Sequence, residues 1–142
     1  MMKTTRIALF ILCAVAVSLG TAIYALFHGY FDHGQFEIKQ VQWSSSQQVA
    51  IVAKRSDQEA LSGYTYFVLI GDHLFSPVEL RHAYHSKAVV FAVASSCLAL
   101  HWESPSKLVV TCNGSTVEPD HIDVQKRQSG GVTVSYENIP VK

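Results

Sequence analysis

The chain reads as an all-β module carried behind one membrane helix: an antiparallel sandwich or small open barrel of about eight strands, preceded by a single N-terminal transmembrane helix. Three features carry that reading. Residues 7–27 contain no charged side chain. From Phe36 onward, β-branched and aromatic residues are plentiful and no long apolar stripe recurs at helical spacing. Turn signals such as Asn113-Gly114 and Ser129-Gly130-Gly131 punctuate the apolar runs.

The apolar stretch Ile7–Phe27 is 21 residues long. A helix of about 20 such residues matches a hydrocarbon core roughly 30 Å thick, and a helix satisfies its own backbone groups in lipid. Lys3 and Arg6 precede the span, whereas Asp32 and Glu37 follow it. Positive flanks stay cytoplasmic, so the expected order is a cytoplasmic N-terminus at 1–6, the span at 7–27, a linker at 28–35 and an extracytoplasmic β domain at 36–142. The expected location is the bacterial inner (plasma) membrane, with the C-terminal domain periplasmic or extracellular. A cleaved signal peptide is the rival reading, because Gly20-Thr21-Ala22 offers small residues, but the apolar run continues past that point to Phe27. Leu12 is bulky where a small residue would precede a lipidated cysteine, so Cys13 is read as an inert apolar-face residue.

Eleven basic and eleven acidic residues cancel, and no basic run is interleaved with aromatics. Nucleic-acid binding, which draws affinity from neutralised phosphates, leaves no footprint here. No polybasic stripe is present to hold the domain on anionic lipid.

In the linker, Tyr30 and Phe31 suit the lipid–water interface, and His28 and His33 read as turn residues beside Gly29 and Gly34. Strands are expected at 36–43, 48–54, 63–70, 87–94, 97–102, 107–112, 121–126 and 132–136. Period two places Tyr64, Tyr66, Val68 and Ile70 on one face, and likewise Val132, Val134 and Tyr136.

A weak internal repeat organises the domain. Val41–Val52 aligns with Leu100–Thr111: each copy has a tryptophan (Trp43, Trp102), a polar turn of five residues, and an aliphatic strand starting six residues after the tryptophan. In each, the tryptophan is expected to cap the end of an apolar face, with the next strand returning antiparallel beside it. These segments resemble the tryptophan hairpins of β-propeller blades, though two copies cannot close a propeller. The layout over roughly residues 41–136, resting on Trp43-Ser44, Ser62-Gly63-Tyr64, Trp102 and Leu108, resembles an uncharacterised family of small bacterial single-span membrane proteins with an all-β extracytoplasmic domain. That resemblance implies no activity and carries over no catalytic residue.

Candidate chemistry is sparse. Cys97 and Cys112 flank the second tryptophan hairpin and lie in an oxidising compartment by the topology above. With Trp102 opposite Leu108, Leu100 opposite Val110 and Leu98 opposite Cys112, however, alternation puts Cys97 on the other face, so the patterning speaks against a bridge. The pair His82 and His85 would offer two metal ligands on a helix, but in a strand the rings would point to opposite faces; surface histidines are expected. No Gly-x-Ser-x-Gly elbow selects a nucleophile among the serines, histidines and Asp57, Asp72, Asp120 or Asp123, and Ser44-Ser45-Ser46 reads as a turn. No catalytic, cofactor-binding or metal-binding residue is assigned, no cofactor is expected and no small-molecule substrate is inferred. A protein-contact surface is sought among Tyr64, Tyr66, Phe67, Tyr84 and Tyr136, most of which should be core. The function expected is a non-catalytic, membrane-anchored binding or envelope-assembly domain. The alternatives are an immunity protein against a periplasmic toxin and a small metal-dependent or hydrolytic enzyme.

Overall fold

A computed structural model describes residues 2–27, 29, 31–57 and 63–142. His28, Tyr30 and Ser62, each used in the sequence reading, lie outside the described residues. The chain forms two units, residues 1–32 and 33–142.

The first unit carries helix α1 (Met2–Phe27). Lys3–Phe27 is long and apolar enough to cross a membrane, and none of its most apolar stretch is buried by protein. Ser18 and Thr21, within the apolar stretch, return their donors to the helix: Ser18 Oγ donates to the Ala14 carbonyl and Thr21 Oγ1 to the Val17 carbonyl, both at 2.8 Å. Neither of these hydroxyls therefore leaves its donor unmet.

The second unit is mainly β. Strands β1 (Gln35–Trp43), β2 (Val49–Ser56), β3 (Tyr64–Gly71), β4 (Phe91–Val93) and β7 (Ile122–Gln125) form one sheet in the order β1-β2-β3-β4-β7. Strands β5 (Leu98–Ser104), β6 (Lys107–Cys112), β8 (Gln128–Ser129) and β9 (Val132–Glu137) form a second in the order β5-β6-β9-β8. The two face each other across a core that includes Val52, Val68, Phe91, Leu108, Val110 and Val134. Among the described residues the two sheets do not close into a barrel. The eight expected strands are all present, with the fourth shortened to Phe91–Val93.

Three features depart from expectation. First, residues 77–84 form a helix, α2 (Pro77–Tyr84). Ser76 caps it, accepting from the Glu79 amide at 3.3 Å, while the Glu79 carboxylate accepts from the Ser76 amide at 2.7 Å, and Pro77 opens the first turn. This reciprocal cap and N1 proline specify a start that needs no long apolar stripe. The helix covers the outer face of the first sheet, where Leu80 joins Ile51, Phe67 and Leu69 in a second core. Strands β2 and β3 are therefore buried on both faces, which is why they read as continuous apolar runs.

Second, β6 and β9 pair in parallel, Leu108 opposite Val134 and Val110 opposite Tyr136. An antiparallel design was expected throughout. The chain leaves β6 for the first sheet, contributes β7, and returns through β8, so β9 enters in the direction of β6. The β8–β9 hairpin turns at Gly130 and Gly131, both at positive φ as the motif requires.

Third, Cys97 and Cys112 are bonded, with Cα atoms 4.7 Å apart. The expected register is correct: Leu98 pairs with Cys112, Leu100 with Val110 and Trp102 with Leu108. The error was to extend alternation one residue too far. Cys97 precedes the regular strand, and its carbonyl accepts from the Asn113 amide at 2.9 Å. Released from the pleat, its side chain turns back onto the core beside Cys112.

Candidate functional site

The candidate site lies where the start of β1 meets α2. On β1, Phe36 lies on the α2 face, and its ring meets those of Phe67 (6.2 Å between centroids) and Tyr84 (5.7 Å) edge-on. Two arginines rest on this aromatic shelf. Arg55, opposite Phe36 in the β1–β2 register, holds Cζ 5.4 Å from the Tyr84 centroid and pairs with Asp57 at 2.7 Å. Arg81 holds Cζ 5.8 Å from the Phe36 centroid. Its Nε is buried and has no hydrogen-bond partner.

Arg81 and Pro77 form one wall of an open cleft of about 500 Å³, whose other lining includes His33, Gln35, Phe36 and Glu37. Pro77 and Arg81 are four residues apart on α2 and so share a face. Alternation from Phe36 turns the Gln35 and Glu37 side chains to the opposite side of the sheet. The Glu37 carboxylate pairs with Lys39 at 2.6 Å, a contact that holds its pKa below the ordinary carboxylate value.

A second surface lies on the same outer face, away from the shelf. Trp43, Val49 and Gly71 are neighbours across β1, β2 and β3. The Phe75 ring sits over Gly71 so closely that a Cβ there would come within 2.7 Å of it. Val49 is fully buried, but Trp43 is 51% exposed and Val41, two residues back on the same face, is 37% exposed. Leu74 and Val78, on the approach to α2 and in its first turn, are also exposed.

The sequence looked for a contact surface elsewhere. Phe67 is fully buried, Tyr66, Tyr84 and Tyr136 are half-buried, and only Tyr64 of that group is exposed. The Tyr136 hydroxyl donates to the Lys126 carbonyl, and burial pushes its pKa up to about 12. Trp43 was expected to cap an apolar face; it stands half in solvent instead, because α2 does not extend over it.

Of the histidines, His82 lies in α2 and His85 caps its C-terminal end, whereas His101 lies on β5 in the other sheet. Among the described residues no group of three or more His, Cys, Asp or Glu side chains is placed to hold a metal ion. Ser44 and Ser46 serve the β1–β2 turn, Oγ to Oγ 2.9 Å, with Ser44 Oγ accepting from the Gln48 amide at 3.1 Å.

One polar cluster escaped the sequence reading. His73 lies between two carboxylates, Nδ1 2.6 Å from Asp72 and Nε2 2.8 Å from Glu79, with its ring stacked on Phe75. Hydrogen bonds that the protonated ring donates to Asp72 and then Glu79 raise the His73 pKa. The Ser76 amide, followed by His73, lowers Glu79 to about 2. The cluster is exposed and braces the N-terminus of α2. The signal for it was the capping pattern Ser76-Pro77-Val78-Glu79.

No protein-family model, curated protein or solved structure matches this chain.

Proposed function

We propose that the chain is a non-catalytic, single-span protein of a bacterial inner membrane, akin to the small bacterial family it resembles. In this reading the N-terminus is cytoplasmic and the β domain, on the outer side, binds another protein or supports an envelope assembly. The observation that carries it is the exposed apolar row led by Trp43 and Val41, on a face that is otherwise covered by α2. A tryptophan left half in solvent on a rigid sheet suits an anchor for a protein partner, since it adds large area at little entropic cost. The Cys97–Cys112 bridge fits an oxidising compartment outside the cytoplasm.

Site-specific photo-crosslinking in intact membranes tests the reading. A benzophenone amino acid at position 43 is expected to capture one discrete protein adduct, and the same group at position 101, on the other sheet, none. Equal labelling from both positions, or none from 43, would refute it. Protease added outside the membrane is expected to remove the β domain; protection would overturn the topology.

A further inference from the structure

The chain has two asparagines, and the fold surrounds them differently. Both are exposed, and each follows the end of a strand: Asn113 after β6 and Asn138 after β9. Asn138 is followed by Ile139, a β-branched residue buried in the central core. Asn113 is followed by Gly114 at φ +80°, where an added Cβ would meet no atom within 4 Å. On its N-terminal side Asn113 is tied down, its amide donating to the Cys97 carbonyl at 2.9 Å beside the Cys97–Cys112 bridge. Beyond that point the ties end. Among the described residues neither the Asn113 carboxamide nor the Gly114 amide has a hydrogen-bond partner.

An asparagine carboxamide is a weak electrophile, and the backbone nitrogen of the next residue is the nucleophile nearest to it. Three things ordinarily keep the two from reacting: a side chain on that next residue, a hydrogen bond that holds its N–H, and regular backbone structure. Glycine removes the first, since it has no Cβ and ranges widely in φ and ψ. The unpartnered Gly114 amide removes the second, and the end of β6 at Cys112 removes the third. Exposed segments just past a strand end also open locally at little cost.

We propose that Asn113-Gly114 is a site of spontaneous covalent modification, in which the chain supplies its own nucleophile and water is the co-reactant. The deprotonated Gly114 nitrogen attacks Asn113 Cγ and closes a cyclic imide. The carboxamide nitrogen leaves as ammonia, taking up the proton that Gly114 gave. Water then adds to one of the two imide carbonyls and breaks its bond to nitrogen. Opening at Cγ yields aspartate; opening at the main-chain carbonyl yields isoaspartate, in which the backbone runs through the former side chain. No oxidant or reductant enters. Either product carries one new carboxylate, so the formally neutral chain becomes negative. The second sheet survives the change, because the Cys97–Cys112 bond and the Asn113 amide both precede the altered linkage. The inference uses no residue of the proposed contact face and stands apart from the protein-binding reading.

The test holds the full chain in maltoside micelles at pH 8, samples it over time, and follows the digested peptides by mass spectrometry. The incubation lasts until an acetylated peptide spanning residues 113–118 is half converted. The Asn113 peptide of the folded chain is expected to gain the mass of amide-to-acid exchange, with one heavy oxygen taken from labelled water. It should appear as both aspartate and isoaspartate, Asn113→Asp serving as the standard for the first. The Asn138 peptide is expected to stay unchanged. Gly114→Ala should slow the reaction about tenfold by placing a Cβ beside the nucleophile. Alanine is strained at positive φ, so Asn113→Gln, which leaves Gly114 in place and lengthens the ring that must close, is the second variant and should show no conversion over the same period. No conversion at Asn113, or conversion at Asn138 as fast as at Asn113, overturns the site. Aspartate without isoaspartate, or an undiminished rate in Gly114→Ala, overturns attack by the Gly114 nitrogen.

Discussion

The two tryptophan hairpins share a sequence pattern and reach different ends. In β1–β2, Trp43 pairs with Val49 and the chain closes through Ser44–Gln48, the Ser44 amide donating to the Gln48 carbonyl at 2.8 Å. In β5–β6, Trp102 pairs with Leu108, but the ladder runs on past a bulge to Ser104 opposite Lys107, leaving a tighter turn at 105–106. Trp102 turns inward against the central core and donates from Nε1 to the Gln42 carbonyl at 3.0 Å; Trp43 stays half exposed. The local code of each hairpin thus sets register, while the neighbouring layer decides what a side chain meets. Trp102 has a facing sheet, and Trp43 lies where α2 does not reach.

The difference is broken most directly at the tryptophans. Trp102→Ala, which removes a partly buried ring packed on the core, should cost about 2–3 kcal/mol, whereas Trp43→Ala should cost about 1 kcal/mol or less. Urea unfolding of both variants measures the gap, and equal losses would mean that the hairpins are energetically equivalent. Next comes the bridge that only the second hairpin has. Its sequence separation of 15 residues implies about 3 kcal/mol, so the Cys97→Ala, Cys112→Ala double variant should lose about that much. The reduced wild type should lose a similar amount.

A smaller effect is expected where the hairpins touch. The Gln40 amide donates to the Leu100 carbonyl at 3.2 Å and accepts from the Leu100 amide at 3.1 Å, standing in for a ladder rung between the two sheets. Gln40→Ala should cost about 2 kcal/mol by leaving both backbone groups unmet. Gln40→Glu keeps the acceptor and loses the donor, and should fall between.

The smallest effect lies outside both hairpins and serves as their control. His73 has a raised pKa, so its contribution is complete below the ordinary histidine value of about 6.5 and fades as pH rises through its higher folded value. Glu79 contributes above the ordinary glutamate value of about 4.3 and loses that contribution as pH falls through about 2. The brace at α2 is therefore complete from about pH 4.3 to 6.5. Proton NMR should place the His73 midpoint above 6.5, with Glu79→Gln bringing it down. Trp102 emission should not respond over that range.

Much of the β scaffold could be read from residues alone because alternation and turn glycines are local signals. Leu98, Leu100 and Trp102 define one face, and the register follows. The same logic failed at Cys97, where the residue leaves the pleat and parity no longer applies. Helix α2 was missed because eight residues with one fully buried side chain, Leu80, make no periodic stripe, although its capping box was in plain view. The parallel β6–β9 pair depends on a path through the other sheet, which no short window records. The cleft was illegible for the same reason: Arg81 and Phe36 are far apart in sequence, and nothing near either marks them as neighbours.

The joining of the two sheets has a consequence for how such molecules coexist. Strand β1 meets β5 through Gln40 and Trp102, and β7 is sheltered by the C-terminal segment, where Gln125 Nε2 donates to the Pro140 carbonyl at 2.9 Å and Lys142 Nζ to the Ile122 carbonyl at 2.9 Å. The remaining margin, β8, is two residues long. A long bare strand is a template on which a second copy can add its own backbone. The contacts at β1 and β7 and the brevity of β8 shorten that template, which leaves side-chain faces as the larger surfaces for recognition.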